Sequence, residues 1–172
     1  MKVEFRKDSE DFSQTLKLEE SPETLKLCAE GATFEEPVKV DLLVSRSGTQ
    51  LICRGKVRTA VRLECSRCLL VYDEPIASNL EFVIDFGETP PEFRSNEDNY
   101  FVADPSSSFF LIDDLVRETM ILALPLKPLC SEDCKGLCPI CGTDLNKSQC
   151  GCVKKEIDPR WEKLKGLLGN KS

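Results

Sequence analysis

Histidine is absent from all 172 residues of this chain. That removes the commonest general base near neutral pH and the usual partner of a nucleophilic serine or cysteine. It also removes the His-x-Glu half of the zinc deaminase signature, although Cys138-Pro139-Ile140-Cys141 has a paired-cysteine spacing of its own. No glycine-rich phosphate loop is present. Long apolar runs are missing as well: the best stretch, Met120 to Leu126, is interrupted by Pro125 and is far too short to cross a bilayer. The first residues, Met1-Lys2-Val3-Glu4-Phe5-Arg6-Lys7-Asp8, carry no apolar segment behind their basic side chains, so no secretory leader is expected. These absences point away from an enzyme and toward a binding protein of the reducing cytoplasm.

What the chain has instead is cysteine. Eight of its ten cysteines fall in close pairs: Cys65/Cys68, Cys130/Cys134, Cys138/Cys141 and Cys150/Cys152. A tight turn between paired cysteines lets two sulfurs converge on one ion, and structural zinc takes four such ligands in a tetrahedron. In a reducing compartment clustered cysteines more often bind metal than form disulfides. Cys138-Pro139-Ile140-Cys141-Gly142 reads as a zinc knuckle, closed by Cys150-Gly151-Cys152. Cys65-Ser66-Arg67-Cys68 is a second knuckle that needs two distant ligands, and Cys130 with Cys134 is the unused pair. The expected grouping is therefore Cys65, Cys68, Cys130 and Cys134 as one site, and Cys138, Cys141, Cys150 and Cys152 as the other. The first would fasten a strand body to a C-terminal module. The expected cofactor is zinc, two ions per chain. Alternatives are a single site drawn from Cys130 to Cys152, an iron–sulfur cluster on the same thiolates, disulfides, or bare reduced thiols. Cys53 and Cys28 stand outside the pairs; Cys53 is expected in the core and Cys28 as a free thiol.

The fold class expected is α+β: an antiparallel β-sheet meander, a C-terminal cysteine-rich zinc-knuckle module, and short helices. The strongest strand runs from Leu51 to Cys65, with Leu51, Cys53, Val57, Thr59, Val61 and Leu63 on one face. The period of two puts Arg54, Lys56, Arg58 and Arg62 on the other. Further strands are expected over Leu25–Glu30, Val38–Val44 and Leu80–Phe86. A long loop is expected over Gly87–Ser108, and a helix over Ile112–Leu124 with Asp113 or Asp114 at its start. A last helix would begin at Asp158-Pro159-Arg160-Trp161, with Trp161 as a core anchor. The domains predicted are 1–128, the sheet body with the helix near 112–124, and 129–172, the cysteine module with the terminal helix.

Net charge is −7, but it is segregated. Arg46 to Tyr72 holds 6 basic residues and 1 acidic; Asp73 to Glu118 holds 2 basic and 12 acidic. The basic strand face, continued by Arg67, is a candidate contact for phosphates. Its competing reading is a solvated face, or one covered by the acidic stretch from Glu88 to Asp104.

An ordered set of segments carries a resemblance. Leu63-Glu64-Cys65-Ser66-Arg67-Cys68-Leu69 comes first, then Ile112-Asp113-Asp114-Leu115-Val116-Arg117-Glu118 and Leu122-Ala123-Leu124-Pro125-Leu126. Leu129-Cys130-Ser131-Glu132-Asp133-Cys134-Lys135-Gly136-Leu137-Cys138-Pro139-Ile140-Cys141-Gly142 follows, with Asn146, Cys150-Gly151-Cys152 and Asp158-Pro159-Arg160. Together they resemble the YceD-type large ribosomal RNA subunit accumulation proteins. The resemblance implies a cytoplasmic protein needed for normal accumulation or processing of large-subunit (23S) ribosomal RNA. The expected role is a non-enzymatic ribosome-assembly factor. Its expected partner is large-subunit ribosomal RNA, a pre-ribosomal particle or a ribosomal protein, with Arg54, Lys56, Arg58, Arg62 and Arg67 touching RNA. The alternatives are a zinc-stapled protein-interaction adaptor without RNA contact, and a thiol redox sensor.

Overall fold

Alternation dominates the centre of the sheet. The computed structural model describes residues 1–4, 11–87, 99–103 and 107–153. Strand β5 (Gln50–Glu64) buries Leu51, Cys53, Val57, Thr59, Val61 and Leu63 and exposes Arg54, Lys56, Arg58 and Arg62. It pairs antiparallel along its whole length with β6 (Val71–Asp85), from Gln50 opposite Asp85 to Glu64 opposite Val71. On its other side β5 pairs with β4 (Val38–Ser47), which buries Val38, Val40, Leu42 and Val44. Strand β3 (Ala32–Phe34) continues along the same edge of β5, opposite Val61 to Leu63.

The sheet order is β2-β4-β5-β6-β7, with β2 (Ser13–Glu20) at one edge. At the other edge the short β7 (Tyr100–Val102) runs parallel to β6, so the sheet is antiparallel except at that margin. A separate ribbon pairs β1 (Lys2–Glu4) with β8 (Phe109–Leu111). Among the described residues there is one helix, α1 (Asp113–Leu122), with Asp113 and Asp114 in its first turn where the helix dipole favours anions. Ile112, Val116 and Met120, one helical turn apart, are fully buried in the core beside β5 and β6.

Gly55 marks the closest approach inside the sheet. A Cβ there would lie 2.1 Å from the Asp41 carbonyl oxygen and 2.9 Å from Leu42 Cα, so only glycine lets β4 and β5 meet. Asp85, buried at the end of β6, accepts hydrogen bonds from the Tyr100 hydroxyl, from Gln50 Nε2 at 3.2 Å and from Gly87 N at 2.8 Å. No described buried side-chain nitrogen or oxygen lacks a partner.

The structure departs from the expected elements at several places. Leu25–Glu30 is not a strand. Turn hydrogen bonds from Leu25 N to Ser21 O and Leu27 N to Pro22 O curl the segment, and Lys26 takes φ 52°. The alternation there buries Leu25 and leaves Leu27 half-buried against the core. Within the expected loop Gly87–Ser108, residues 100–102 form β7, while 88–98 and 104–106, including most of the acidic stretch, lie outside the described residues. The helix predicted from Asp158, with Trp161, also lies outside them.

The chain divides into two compact units. One, drawn from residues 1–66 and 70–130, contains every strand and helix above. The other, drawn from 67–69 and the chain from Ser131 onward, is built in its described part from turns and one isolated bridge, Leu137 opposite Asp144.

Candidate functional site

The β5–β6 hairpin ends in the first knuckle. Cys65 N donates to Leu70 O at 2.9 Å, closing the loop, and Ser66 N donates to Pro128 O at 2.9 Å. Past α1, a turn from Ser131 carries Cys134 N to Ser131 O at 3.0 Å. The sulfurs of Cys65, Cys68, Cys130 and Cys134 all lie within 4.8 Å of one another. Cys65, Cys68 and Cys134 are buried and Cys130 half-buried.

Arg67, an exposed residue, organises this turn. Its Nη1 donates to Cys134 O at 2.7 Å and Glu132 O at 3.3 Å, and its carbonyl accepts from Leu137 N at 3.1 Å. Gly136 takes φ +75°, and a Cβ there would stand 3.0 Å from Arg67 O.

The second knuckle repeats the geometry. Gly142 N donates to Cys138 O and Cys138 N to Thr143 O, both at 2.9 Å, and Gly142 takes φ +74°. Cys138, Cys141, Cys150 and Cys152 again hold their sulfurs within 4.8 Å. Hydrogen bonding divides these thiols. The Thr143 hydroxyl, 3.1 Å from Cys141 Sγ, leads in lowering Cys141 to about 6. Backbone N–H groups of Cys141 and Ile140 lower Cys138. The hydrogen bond with Cys141 leads in pushing Cys152 up to about 12.

Each sulfur set could hold a metal ion. A tetrahedron with metal–sulfur bonds of about 2.3 Å has edges near ~3.8 Å, inside the observed spread. Four thiols this close cannot all ionise without a cation between them. The donor set is all sulfur, which suits zinc or iron and disfavours magnesium or calcium. The grouping of the eight cysteines matches the predicted one.

Asn146 and Thr143 support the sulfurs, and spacing alone did not reveal them. Asn146 Nδ2 donates to Cys134 Sγ at 3.4 Å. Asp144 in turn fixes Asn146, and the Asn146 backbone N–H leads in holding the Asp144 carboxyl below its usual range. The available signal was chemical: asparagine offers two donors and an acceptor, a rare need in a short ligand loop.

The basic face of β5 is present and exposed, but acids are threaded through it. Arg58 bonds Asp41 at 2.7 Å; Arg62 bonds Glu35 at 2.5 Å and Asp73 at 3.0 Å. Its hydrogen bond to Asp73 leads in raising the Arg62 guanidinium further above its ordinary value. Across the ladder Lys56 stands opposite Asp41, and Arg54 opposite Glu81. Lys39 and Arg58, a like-charged pair directly opposite, border an open groove of about 350 Å³ that is also lined by Pro37, Ala60, Pro75 and Ile76. Arg67 is exposed, and its guanidinium bonds carbonyls of the cysteine turn. Cys53 is buried on the apolar face, with its thiol pushed up to about 12 by desolvation, and Cys28 is exposed.

Comparison with known proteins adds the following. A family model described as large ribosomal RNA subunit accumulation protein YceD matches residues 53–168. A chloroplastic YCED homolog 1 from Arabidopsis thaliana is 30% identical over 158 residues, covering 78% of this chain and 48% of that protein. An uncharacterised protein of Mycobacterium tuberculosis strain H37Rv is 30% identical over 133 residues, covering 77% of this chain and 63% of its own. The Zea mays YCED homolog 1 is 27% identical over 156 residues, with 74% and 52% covered. The chain thus spans about half to three-fifths of the length of these relatives. No solved structure matches.

Proposed function

The chain belongs to the YceD family of large ribosomal RNA subunit accumulation proteins, and on that premise we propose that it is a non-enzymatic assembly factor contacting large-subunit ribosomal RNA. The observation that carries the RNA contact is the exposed row of Arg54, Lys56, Arg58 and Arg62 on one face of β5. Arg67 belongs to the same proposed set, though its structural bonds make it the least available. The ladder acids keep the row from being a field of bare positive charge. That suits local contacts to phosphates in a folded RNA rather than adherence to any polyanion. The cytoplasm is the compartment this reading implies.

Zinc is the proposed cofactor, one ion for each sulfur set. The compact spacing favours single ions over a cluster of several irons, since each iron of a cluster draws its own thiolate outward. A zinc ion with four thiolates has no open coordination position for water, so its proposed role is structural. The strand body with a zinc-knuckle module at 129–172 is part of this reading.

The test is filter binding of large-subunit ribosomal RNA over a salt series. Arg54→Glu with Lys56→Glu should weaken binding and shallow the salt dependence by roughly 0.7–0.9 in log–log slope per lost phosphate contact. Unchanged affinity would reject the row as the contact.

A second reading rests on a separate observation. Leu69, Leu70 and Val71, at the tip of the β5–β6 hairpin, are 56%, 50% and 54% exposed. Such a run favours an adaptor that meets a ribosomal protein. Partners that remain bound after nuclease treatment support that reading; partners that leave with the RNA support the first.

A further inference from the structure

Asn146 lies in the loop that joins Cys141 to Cys150, so its backbone belongs to the second sulfur set. Its side chain serves the first. Nδ2 donates to Cys134 Sγ at 3.4 Å and also to Asp144 Oδ1 at 2.9 Å, while Oδ1 accepts from Lys135 N at 2.8 Å. These three partners fix the amide's orientation, because Lys135 N can only donate and the Asp144 carboxylate can only accept. Both amide hydrogens and the carbonyl are therefore in use, and the group holds Cys134 through its sulfur and through the next backbone N–H.

The loop that carries Asn146 is tied at both ends to ligands of the second set. Cys138 N bonds Thr143 O at 2.9 Å on one side, and Cys150 follows on the other. Between them Leu145 N bonds Gly136 O at 2.9 Å, and Asn146 N bonds Asp144 Oδ1 at 3.0 Å. An ion gripping Cys138, Cys141, Cys150 and Cys152 closes both ends of this loop at once. Without it, Asn146 is restrained among the described residues by hydrogen bonds of the loop itself, including Lys147 N and Ser148 N to Asp144 O, and by its own side-chain bonds.

We propose that Asn146 is a positioning residue that couples the two sulfur sets. Metal at the second set holds the Asn146 amide against Cys134, and this raises the affinity of the first set for its own ion. A hydrogen bond to a ligand sulfur orients it and stabilises its thiolate form, and losing such a partner typically weakens metal binding about 10- to 100-fold. The coupling is reciprocal, because each ion must favour the other by the same factor. The inference rests on the reading that both sets bind zinc.

The experiment uses the full chain in four forms: wild type, Cys141→Ser/Cys150→Ser, Asn146→Leu, and the combination. Affinity of the first set for Zn²⁺ is measured by competition with a chromophoric chelator. Co²⁺ spectra report the geometry of the same four sulfurs, and circular dichroism checks the sheet. The serine pair should weaken the first set about tenfold in the wild-type background. In the Asn146→Leu background the same serines should change it by less than about twofold, since the link is already gone. Asn146→Asp, which turns an acceptor toward both the Cys134 thiolate and Asp144, should match Asn146→Leu and serves if that chain folds poorly. An equal effect of the serines in both backgrounds overturns the coupling through Asn146. Two bound ions with no mutual dependence overturn it too, while leaving the zinc reading intact. Failure to bind metal at either set ends both.

Discussion

At Gly136 two demands meet: a φ of +75° and a carbonyl, that of Arg67, 3.0 Å from where a Cβ would stand. Gly136→Ala should cost about 1–2 kcal/mol or more in urea unfolding, from left-handed strain alone; an unchanged midpoint would deny the turn its importance. The residue after the second cysteine of each knuckle makes an instructive pair. Gly142 takes φ +74° and Leu69 takes φ 60°, yet only one is glycine. Leu69→Gly relieves the strain but gives the unfolded chain more freedom, so its net effect should stay within about 1 kcal/mol. Thiol chemistry separates the two unpaired cysteines. In native protein at pH 8, iodoacetamide should modify the exposed Cys28 within minutes and leave Cys53 untouched. Cys53's raised value, about 12 against an ordinary 9.0, also sets a pH dependence. Above pH 9 the unfolded chain releases this proton and the folded one keeps it, so stability should fall as pH climbs toward 12, and Cys53→Ala should remove that part of the slope.

Among the elements, β5 was the most legible because its apolar positions are buried on one face while Arg54, Lys56, Arg58 and Arg62 are exposed on the other. The predicted Leu51–Cys65 and the observed Gln50–Glu64 differ by one residue at each end. Edge elements were not legible. β2 has Leu16, Leu18 and Glu20 half-buried and no apolar residue besides the two leucines, so its identity comes from its partner β4 rather than from its own pattern. The first half of β6 was hidden by Pro75 and by Asp73 and Glu74. Among the described residues β6 is paired only with β5 at that point, β7 reaching just Val83 to Asp85, and an edge tolerates proline. Helix α1, expected over Ile112–Leu124, runs over Asp113–Leu122 and buries Met120 fully, one turn after Val116. Met120→Ala should cost about 2–5 kcal/mol in thermal or denaturant unfolding. Gly55→Ala should cost about 1–3 kcal/mol or more by forcing β4 from β5; a neutral result at either site would contradict the packing described.

At the scale of the whole molecule, the sulfur sets were readable from spacing because each pair is local and only the assignment of pairs to sites was long-range. The supporting contacts of Asn146, Thr143 and Arg67 were not readable, since they depend on where turns bring a side chain and not on any period. Charge behaves in the same way. The basic row was visible in β5, but its acidic neighbours come from β4, from β6 and from Glu35 just after β3, and emerge only with the pairing of the strands. Two zinc ions on eight thiolates would add about four negative charges to a chain already at −7, which makes any RNA contact depend on local geometry. All of this turns on whether the thiolates hold metal. The direct measurement is elemental analysis with native mass spectrometry on untagged protein. The account predicts two zinc atoms per chain, with Cys65, Cys68, Cys130, Cys134, Cys138, Cys141, Cys150 and Cys152 shielded from alkylation until a chelator is added. Metal-free protein with those eight cysteines openly reactive, or joined as disulfides, would contradict it.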